Sequence, residues 1–248
     1  MRSFAATVVL LFAVSVPGLA AADTNSDSGW NSSLLIYLMG PNIDGDIGLG
    51  PVEGNIDLDP GDIFDAFDSG FLGLFGAEKD RWGFIIDTVY MDLSQDATSM
   101  GGQVTGEVGV EQLILGGLVS YKLNDSARLL FGGLYVDLDN TLRLSGPIQE
   151  RNFKVSEDWV DPVIGLRLTK QLSEKWELGG LAHIGGFGVG SDFTWQLSGD
   201  LTYAFTERTH LAMGFRYIDF DYEDGSGLDY FKFDVAEYGL AVGLRFDF

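Results

Sequence analysis

The chain has 248 residues, no cysteine and a formal charge of −22, with 15 Lys and Arg against 37 Asp and Glu. The lack of cysteine excludes a disulfide framework and a lipid-anchored cysteine, and the acidic balance excludes nucleic acid as a partner, because phosphate binding needs clustered basic residues. The 34 glycines and 13% aromatic residues favour a β-barrel, where glycine serves in tight turns and aromatic rings form interfacial girdles.

The first 22 residues predict a secretory signal peptide. Arg2 supplies the positive charge, the apolar stretch covers residues 4–16, and Ala20-Ala21-Ala22 forms a small-residue cleavage site. The apolar stretch is too short for a membrane-spanning helix, which needs roughly 20 residues. We therefore expect cleavage after Ala22 and one mature barrel domain over residues 23–248.

Segments of alternating polarity follow in chain order. The clearest is the last, in which every second residue from Tyr238 to Phe248 is apolar or aromatic, whereas Arg245 and Asp247 share the opposite face. A period of two predicts a strand with one face toward lipid and the other toward a lumen. We therefore predict an all-β fold, a transmembrane antiparallel up-and-down β-barrel of about ten strands, with eight or twelve as alternatives. The ten predicted strands are residues 30–39, 70–78, 82–93, 104–123, 127–144, 159–172, 175–187, 193–205, 210–222 and 230–248.

Residues 41–70 do not fit a simple loop. A strand or hairpin over Asp46–Asp59 and a short helix over Pro60–Asp68 are both consistent with the sequence. Two arrangements remain open for this acidic insert, a plug in one barrel mouth and a solvated outer loop. The insert has no Lys or Arg, and its eight acids are Asp44, Asp46, Glu53, Asp57, Asp59, Asp62, Asp65 and Asp68.

The connections between predicted strands alternate between two lengths. Short turns are expected at residues 79–81, 124–126, 173–174 and 206–209, and longer links near 94–103, 145–158 and 223–229. Outer-membrane barrels have short periplasmic turns and longer outer loops. This alternation predicts a location in the cell outer membrane with the C-terminus in the periplasm.

The two faces of the predicted strands give two sets of candidate residues. Aromatic residues near strand ends should lie at the membrane interfaces, and these are Trp82, Trp176, Trp195, Tyr203, Tyr217 and Phe248. Polar residues on the other face should line the lumen, and these are Asp87, Asp161, Arg167, His183, Asp200, Arg216 and Arg245, together with Glu78 and Glu177. One interpretation of this lumen set is a network of ion pairs that fills a narrow interior. The other is a constricted aqueous pore, which the acidic insert would bias toward cations.

Several segments resemble a family of Gram-negative outer-membrane β-barrel proteins of unassigned function, similar to small porin-like, OmpA-like or OmpW-like barrels. The Gly-rich segment ending in Trp195-Gln196 is the most specific of them. Two positions depart from the pattern, since His183 stands where an acidic residue is expected and Leu134 where a basic one is expected. The segments are Gly76-Ala77-Glu78, Arg81-Trp82-Gly83, residues 159–165, residues 185–196, Gly214-Phe215-Arg216-Tyr217 and the terminal Phe248.

The resemblance implies a location and a fold and supplies no reaction. It implies contact with outer-membrane lipid and lipopolysaccharide, and with the outer-membrane assembly machinery, which reads the terminal Phe248 pattern during biogenesis. We expect a monomer that forms a narrow, cation-leaning, porin-like channel for small solutes or cations. A closed structural or surface-interaction barrel is the alternative.

The sequence favours a catalytic or metal site less than it favours a channel or a structural barrel. An outer-membrane hydrolase or a lipid A-modifying enzyme needs a base, commonly His, beside a nucleophile or activated water, and the only histidines are His183 and His210. Residues 219–225 begin like a calcium loop, but Asp224 replaces its turn glycine and Tyr230 its closing Glu. We therefore predict no enzyme activity, no cofactor and no metal.

Overall fold

The computed structural model describes residues 29–98, 105–145 and 150–248. The predicted signal peptide and its cleavage site lie outside these ranges. Within them, no helix is long and apolar enough to span a bilayer. The elements are β1 (Asn31–Leu49), β2 (Val52–Leu58), α1 (Pro60–Ala66), β3 (Phe67–Lys79), β4 (Trp82–Thr98), β5 (Thr105–Asn124), β6 (Ala127–Ser145), β7 (Glu150–Gln171), β8 (Trp176–Gly186), β9 (Phe193–Ala204), β10 (Thr209–Asp224), a 3-10 turn (Gly227–Asp229) and β11 (Phe231–Asp247).

Ten of these strands close into a barrel. Strands β3 to β11 pair with their sequence neighbours, β3 also pairs with β1, and β11 pairs back with β1. Every pairing in the barrel is antiparallel. The prediction of a ten-stranded antiparallel up-and-down β-barrel is therefore confirmed.

The two ends of the barrel differ in their connections. One end, called here the short-turn end, carries the turns at residues 80–81, 125–126, 172–175 and 205–208 and the C-terminal Phe248. The other end carries the β1–β2 hairpin and the long arms of the β4–β5, β6–β7 and β10–β11 hairpins. We call it the extended end.

The period-two alternation along each strand determines which side chains face out of the barrel. Leu240 on β11 is 74% exposed and Leu38 on β1 is 72% exposed, whereas the alternating Glu237 is 4% exposed. Directly paired residues of antiparallel neighbours share a face, so this alternation passes from strand to strand around the barrel. The exterior thereby gains a band of exposed apolar residues that includes Phe84, Ile86, Leu115, Phe131, Ile164, Leu166, Leu197, Phe215, Val242 and Leu244.

Aromatic pairs border this band at both ends. At the short-turn end, Trp176 lies 4.8 Å from Tyr203, between ring centroids. Toward the extended end, Trp195 stacks on Tyr217 at 4.7 Å, and Tyr217 stacks on Tyr238 at 5.6 Å. Along β9, Trp195 and Tyr203 are about 26 Å apart at the usual rise per residue. Strand tilt reduces this to roughly 20 Å across the membrane, near the height of a transmembrane apolar band.

Strands β4 to β7 continue well past the aromatic pairs near the extended end. The sequence analysis predicted long links in place of these strand segments. The structure has strand up to Thr98 and from Glu150 onward, where links near 94–103 and 145–158 were expected. Their paired arms show polar residues on the outer face, such as Asp137 and Asp139 on β6. Polar alternation in water does not mark where a hairpin arm ends, so strand was mistaken for loop.

The acidic insert is built into the barrel rather than forming a separate loop. Residues 41–49 continue β1, β2 folds back on them, and α1 leads directly into β3. Asp59 caps α1, since its carboxylate accepts from the backbone N–H groups of Gly61 and Asp62 at 2.7 and 3.1 Å. The predicted hairpin and helix are thus both present.

Helix α1 fills a gap in the barrel wall. The β1–β3 ladder covers only Asn31–Ile36 on β1, and β2 begins to pair with β1 at Ile43. Within this gap, the rings of Pro60 and Phe64 lie against the outer side of Gly40, at 3.6 and 3.8 Å from the position of a Cβ there. On the inner side, Ile63 is 2% exposed. The wall is therefore continuous, but partly through side chains instead of backbone ladders.

Candidate functional site

Inward-facing residues at the extended half of the barrel form an apolar core. Trp159 on β7 stacks on Tyr222 on β10, with ring centroids 4.1 Å apart and planes 8° from parallel. Phe220 contacts the edge of Trp159 at 6.2 Å and has no exposed surface. The layer also includes Val89, Met91, Ile114, Val136, Leu138, Ile218 and Phe231. Side chains from most of the barrel strands thus fill the interior at this level.

A smaller apolar cluster closes the interior behind α1. Ile63 packs with Ile43 on β1, Leu93 on β4 and Val235 on β11, each at most 8% exposed. Ile47 and Phe233 pack against the same group. The two clusters together occupy the extended half of the lumen.

A buried polar layer lies below the apolar core. Arg216 on β10 donates through Nη1 to Asp87 on β4 at 3.0 Å and to the Tyr37 hydroxyl on β1 at 3.1 Å. Nearby, the Gln112 amide donates to the Glu237 carboxylate in a buried hydrogen bond. A buried guanidinium is stable only when paired and hydrogen-bonded, and strands β4 and β1 supply those partners here.

Two nitrogen atoms in this layer have no partner among the described residues. They are Nε of Arg216 and Nδ1 of His183, on side chains that belong to residues 8% and 6% exposed. His183 lies directly opposite Gln196 in the β8–β9 ladder, so the two side chains share the inward face.

A cavity of about 660 Å³ occupies the short-turn half of the barrel. We call it the vestibule. Its mouth includes Asn31, Asp125 and Asp247, and its closed end includes Tyr37, Arg216 and further residues of the buried polar layer. Its walls combine the ion pairs described next with an apolar set of Leu35, Leu74, Leu118, Leu134, Val163 and Leu181.

Each arginine of the vestibule wall has an acidic neighbour. Arg128 binds Glu78 at 2.8 Å, whereas the Arg167–Asp200 and Arg245–Glu177 pairs are looser at 3.5 and 3.3 Å. These side chains are 20–46% exposed, so each pair contributes at most about 1 kcal/mol. At the mouth, His210 lies 2.9 Å from Asp247, and Arg245 lies 3.2 Å from the same carboxylate.

The predicted lumen residues fall into two groups. Asp87, Arg167, His183, Asp200, Arg216 and Arg245 all line the vestibule, as do Glu78 and Glu177.

Asp161 differs, since it faces inward but has no exposed surface. Its carboxylate accepts from Ser191 N and Oγ, both at 2.7 Å, and from Trp159 Nε1 at 3.2 Å. Asp161 therefore holds the β8–β9 connection and does not border the open lumen.

Sequence reasoning missed several residues of this interior. Glu237 and Tyr37 occupy inward positions of β11 and β1, and Arg128 occupies one on β6. The period-two count that placed Arg245 inward reaches Glu237 when extended, so the signal was present. Tyr37 carried no such signal, because a tyrosine near a strand end suits an interface girdle equally well.

Charged groups beyond the membrane band are perturbed by their neighbours. Burial raises the pKa of Asp221, and the like charges of Asp234 and Asp192 add to the effect. Burial and Asp224 likewise raise the pKa of Glu157. The described residues include no group of three or more His, Cys, Asp or Glu arranged to hold a metal ion.

Comparison with solved structures supports the fold. The outer membrane protease OmpT from Escherichia coli matches with a TM-score of 0.55 at 9% identity, covering 91% of this chain and 99% of that one. The translocator domain of the autotransporter NalP from Neisseria meningitidis matches with a TM-score of 0.48 at 13% identity, covering 90% of each chain. A FadL homologue from Pseudomonas aeruginosa gives a TM-score of 0.39 at 12% identity, covering 89% and 90%.

The sequence comparisons add no assignment. No family model matches the chain, and no curated protein matches it. At these identities the structural likeness extends to the fold alone. The chain has the architecture of an outer-membrane β-barrel.

Proposed function

We propose that this protein is a monomeric outer-membrane barrel closed to passive diffusion, which serves as a structural or surface-interaction protein. In this proposal the signal peptide is removed, the short-turn end lies in the periplasm, and the extended end projects from the cell surface. The apolar band between the aromatic pairs contacts lipid and lipopolysaccharide. The observation that carries the proposal is the packed core at the extended half of the lumen.

This core argues against a standing aqueous pore. Phe220, Val136 and Val235 have no more than 1% of their surface exposed, and Ile114 and Ile218 have 2%. Ions cross a barrel through a lumen lined by polar groups and water. An interior filled by large apolar side chains provides neither, so the cation-leaning channel is less well supported than the closed alternative.

The extended strands favour a role outside the membrane. Hairpin arms that continue past the aromatic pairs toward the extended end present outward carboxylates, which keep this surface hydrated. These outward acids include Asp44, Asp46, Asp92, Glu111, Asp137, Asp139, Asp158, Asp219, Asp221 and Asp234.

The histidines give little support for catalysis. The neighbour of His183 is Gln196, and that of His210 is Asp247. Neither partner is a hydroxyl or thiol nucleophile, so activation of a water is the one catalytic route that these pairs leave to a histidine base. The likeness to the solved protease is one of fold, and we do not carry its activity over to this chain.

Recording from single barrels in planar lipid bilayers tests the proposal. Folded wild-type protein is expected to give a flat baseline, because the core blocks the lumen. The double variant Trp159→Ala with Phe220→Ala removes two rings from that core and is expected to give conductance steps. A matched double variant, Trp195→Ala with Phe215→Ala, removes the same ring types from the lipid-facing side and should stay closed. Steady cation-selective conductance from wild type would overturn the proposal and restore the channel interpretation.

Orientation is tested separately on intact cells. An epitope inserted after Ser226, in the β10–β11 connection, is expected to bind antibody added outside. The same epitope after Asp125, in the turn between β5 and β6, should bind only after the outer membrane is opened. The reverse pattern would place the short-turn end outside.

A further inference from the structure

The closed end of the vestibule combines features of a ligand site that the closed-barrel proposal does not use. Arg216 Nε and His183 Nδ1 lack partners among the described residues, although the two residues are only 8% and 6% exposed and both line the vestibule. Leaving a buried donor or acceptor unpaired costs about 1–3 kcal/mol. Both atoms are shielded by their neighbours as the side chains stand, so a ligand polar group would recover that cost by displacing those neighbours from the closed end of the vestibule.

The chemistry of the two nitrogens defines what such a group must do. Arg216 Nε–H can only donate, so it needs an acceptor. A neutral imidazole donates through one nitrogen and accepts through the other, so Nδ1 of His183 is a donor in one tautomer and an acceptor in the other. A hydroxyl oxygen accepts from Arg216 and can either donate to Nδ1 or accept from it.

The charges of the vestibule disfavour an anionic ligand. Every arginine that lines it already has an acidic partner within 3.5 Å. Its lining acids are six, namely Glu78, Asp87, Asp125, Glu177, Asp200 and Asp247, against the four arginines Arg128, Arg167, Arg216 and Arg245. A carboxylate or phosphate would enter a region with no surplus positive charge and would lose its hydration there.

The size and walls of the vestibule point to the rest of the ligand. Its volume of about 660 Å³ is within the range of small-molecule sites, which are commonly apolar with a few placed polar groups. Leucine and valine side chains surround the approach to Arg216 and His183. We propose that the vestibule is a binding site for a neutral, hydroxyl-bearing small molecule with an apolar body, which enters through the short-turn end.

Access from the periplasm rests on the orientation in the proposed function, but binding itself does not. A closed barrel can bind a ligand in its vestibule, and an open channel could also do so. Failure of binding and failure of closure are therefore separate results. The first is read from the ligand titration and the second from conductance.

The chain offers a direct probe of the site, because it contains only two histidines. Protein with isotope-labelled histidine in lipid nanodiscs gives ring signals from His183 at the closed end and from His210 near the mouth. A His210→Asn variant assigns the two sets. The probes are three molecules with the same cage and different head groups, 1-adamantanol, 1-adamantanecarboxylate and 1-adamantanamine.

We expect 1-adamantanol to shift the His183 signals saturably, with the carboxylate binding about ten-fold more weakly or not at all because it would be buried without a free cation. No His183 shift with any of the three probes would show a site that holds water only and would overturn the proposal. Equal shifts with all three would exclude the hydroxyl preference, and tighter binding of the carboxylate or the amine would replace it with an ionic ligand. His210 shifts without His183 shifts would place binding at the mouth and reject the site.

Two adjacent glycines provide a blocking variant and its matched control. A Cβ at Gly116 would point into the vestibule and make ordinary contacts there, 3.5 Å from Asp87 Cβ and 3.6 Å from Leu134 Cδ1. Gly117 faces outward, and a Cβ there meets nothing within 4 Å. Gly116→Leu should weaken 1-adamantanol binding by about ten-fold or more by filling the space, whereas Gly117→Leu should leave it unchanged. Full binding by the Gly116→Leu protein would overturn the proposed location.

Discussion

Arg216 on β10 donates a 3.0 Å hydrogen bond to Asp87 on β4, and so joins strands from nearly opposite sides of the barrel. Both side chains are at most 19% exposed. Such a pair costs desolvation energy to form, but the loss of one partner costs more, because the other charge stays buried and unpaired.

Removal of Asp87 alone should destabilise the barrel strongly. Asp87→Leu is expected to lower the free energy of unfolding by about 3–5 kcal/mol, since Arg216 then lacks its counter-charge. The double variant Asp87→Leu with Arg216→Met should recover most of that loss. Urea unfolding in lipid vesicles, followed by tryptophan fluorescence, measures both. If the double variant loses as much unfolding free energy as Asp87→Leu and Arg216→Met lose together as single variants, the two charges do not interact.

Loss of the Asp161 carboxylate should loosen the β8–β9 connection. Asp161→Ala leaves the buried Ser191 N–H and the Trp159 indole N–H without their acceptor, which costs about 1–3 kcal/mol for each unsatisfied group. Faster amide exchange at residues 187–192 is expected beside the lower unfolding free energy. The neighbouring Asp158→Ala is the control, because its side chain lies on the exposed outer face. Equal effects of the two variants would contradict the assigned role of Asp161.

Helix α1 should detach when its single buried residue, Ile63, is replaced by a polar one. Ile63→Ser is expected to weaken the packing on Ile43, Leu93 and Val235 by about 2–5 kcal/mol, as for other large-to-small core changes. Protease cleavage within residues 59–66 measures the release. Phe64→Ser is the control, since Phe64 is 62% exposed on the outer side. Cleavage that stays slow in the Ile63 variant would show that α1 is held by other contacts.

The extended end should become less stable as pH rises above the ordinary carboxyl range. A carboxyl whose pKa is raised on folding holds its proton more tightly in the folded state, so its stabilising contribution is present at low pH. This applies to Asp221 and Glu157, and the contribution is lost between the ordinary pKa values, 3.8 and 4.5, and the raised ones.

Hydrogen exchange of β10 and β11, corrected for the intrinsic rate, measures this dependence. Exchange should be slower near the ordinary carboxyl values of about 4 than at neutral pH. Asp221→Asn should flatten the profile, because a neutral amide has no proton to lose. Asp57→Asn on the exposed β2 edge should leave the profile as in wild type. A wild-type profile with the opposite slope would contradict the raised pKa values.

The barrel was readable from sequence where its two faces differ in chemistry. On β11 the alternation from Leu240 to Phe246 separates lipid-facing residues from Arg245, so the strand and its two faces follow from one pattern. The same logic identified the inward positions of Arg216 on β10 and Asp200 on β9. The membrane imposes that difference, because the face toward lipid must be apolar whereas the face toward the lumen can be polar.

The packed core was missed because its strands are apolar on both faces. Leu113-Ile114-Leu115 and Leu134-Tyr135-Val136 show no alternation, although each contributes an inward residue to the core. We expected inward residues to be polar, as in an open lumen. Apolar residues at inward positions were the available signal for a filled interior. This signal does not depend on the alternation in the C-terminal strand.

The position of α1 in the wall could not be predicted from sequence. The capping residue Asp59 and Pro60 mark a helix start, but they do not indicate that the β1–β3 ladder stops at Ile36. That gap depends on how far β2 folds back along β1, which is determined by tertiary packing and not by the local sequence.

The short β1–β3 ladder also has a consequence for how the chain is assembled. β1 pairs with β11 over Ser33–Leu49 but with β3, its neighbour in the barrel wall, only over Asn31–Ile36. The first strand is therefore held chiefly by the last one made. The ring therefore closes through the ladder between β1 and β11, which joins the first strand of the barrel to the last and is the longer of the two that β1 makes in the wall.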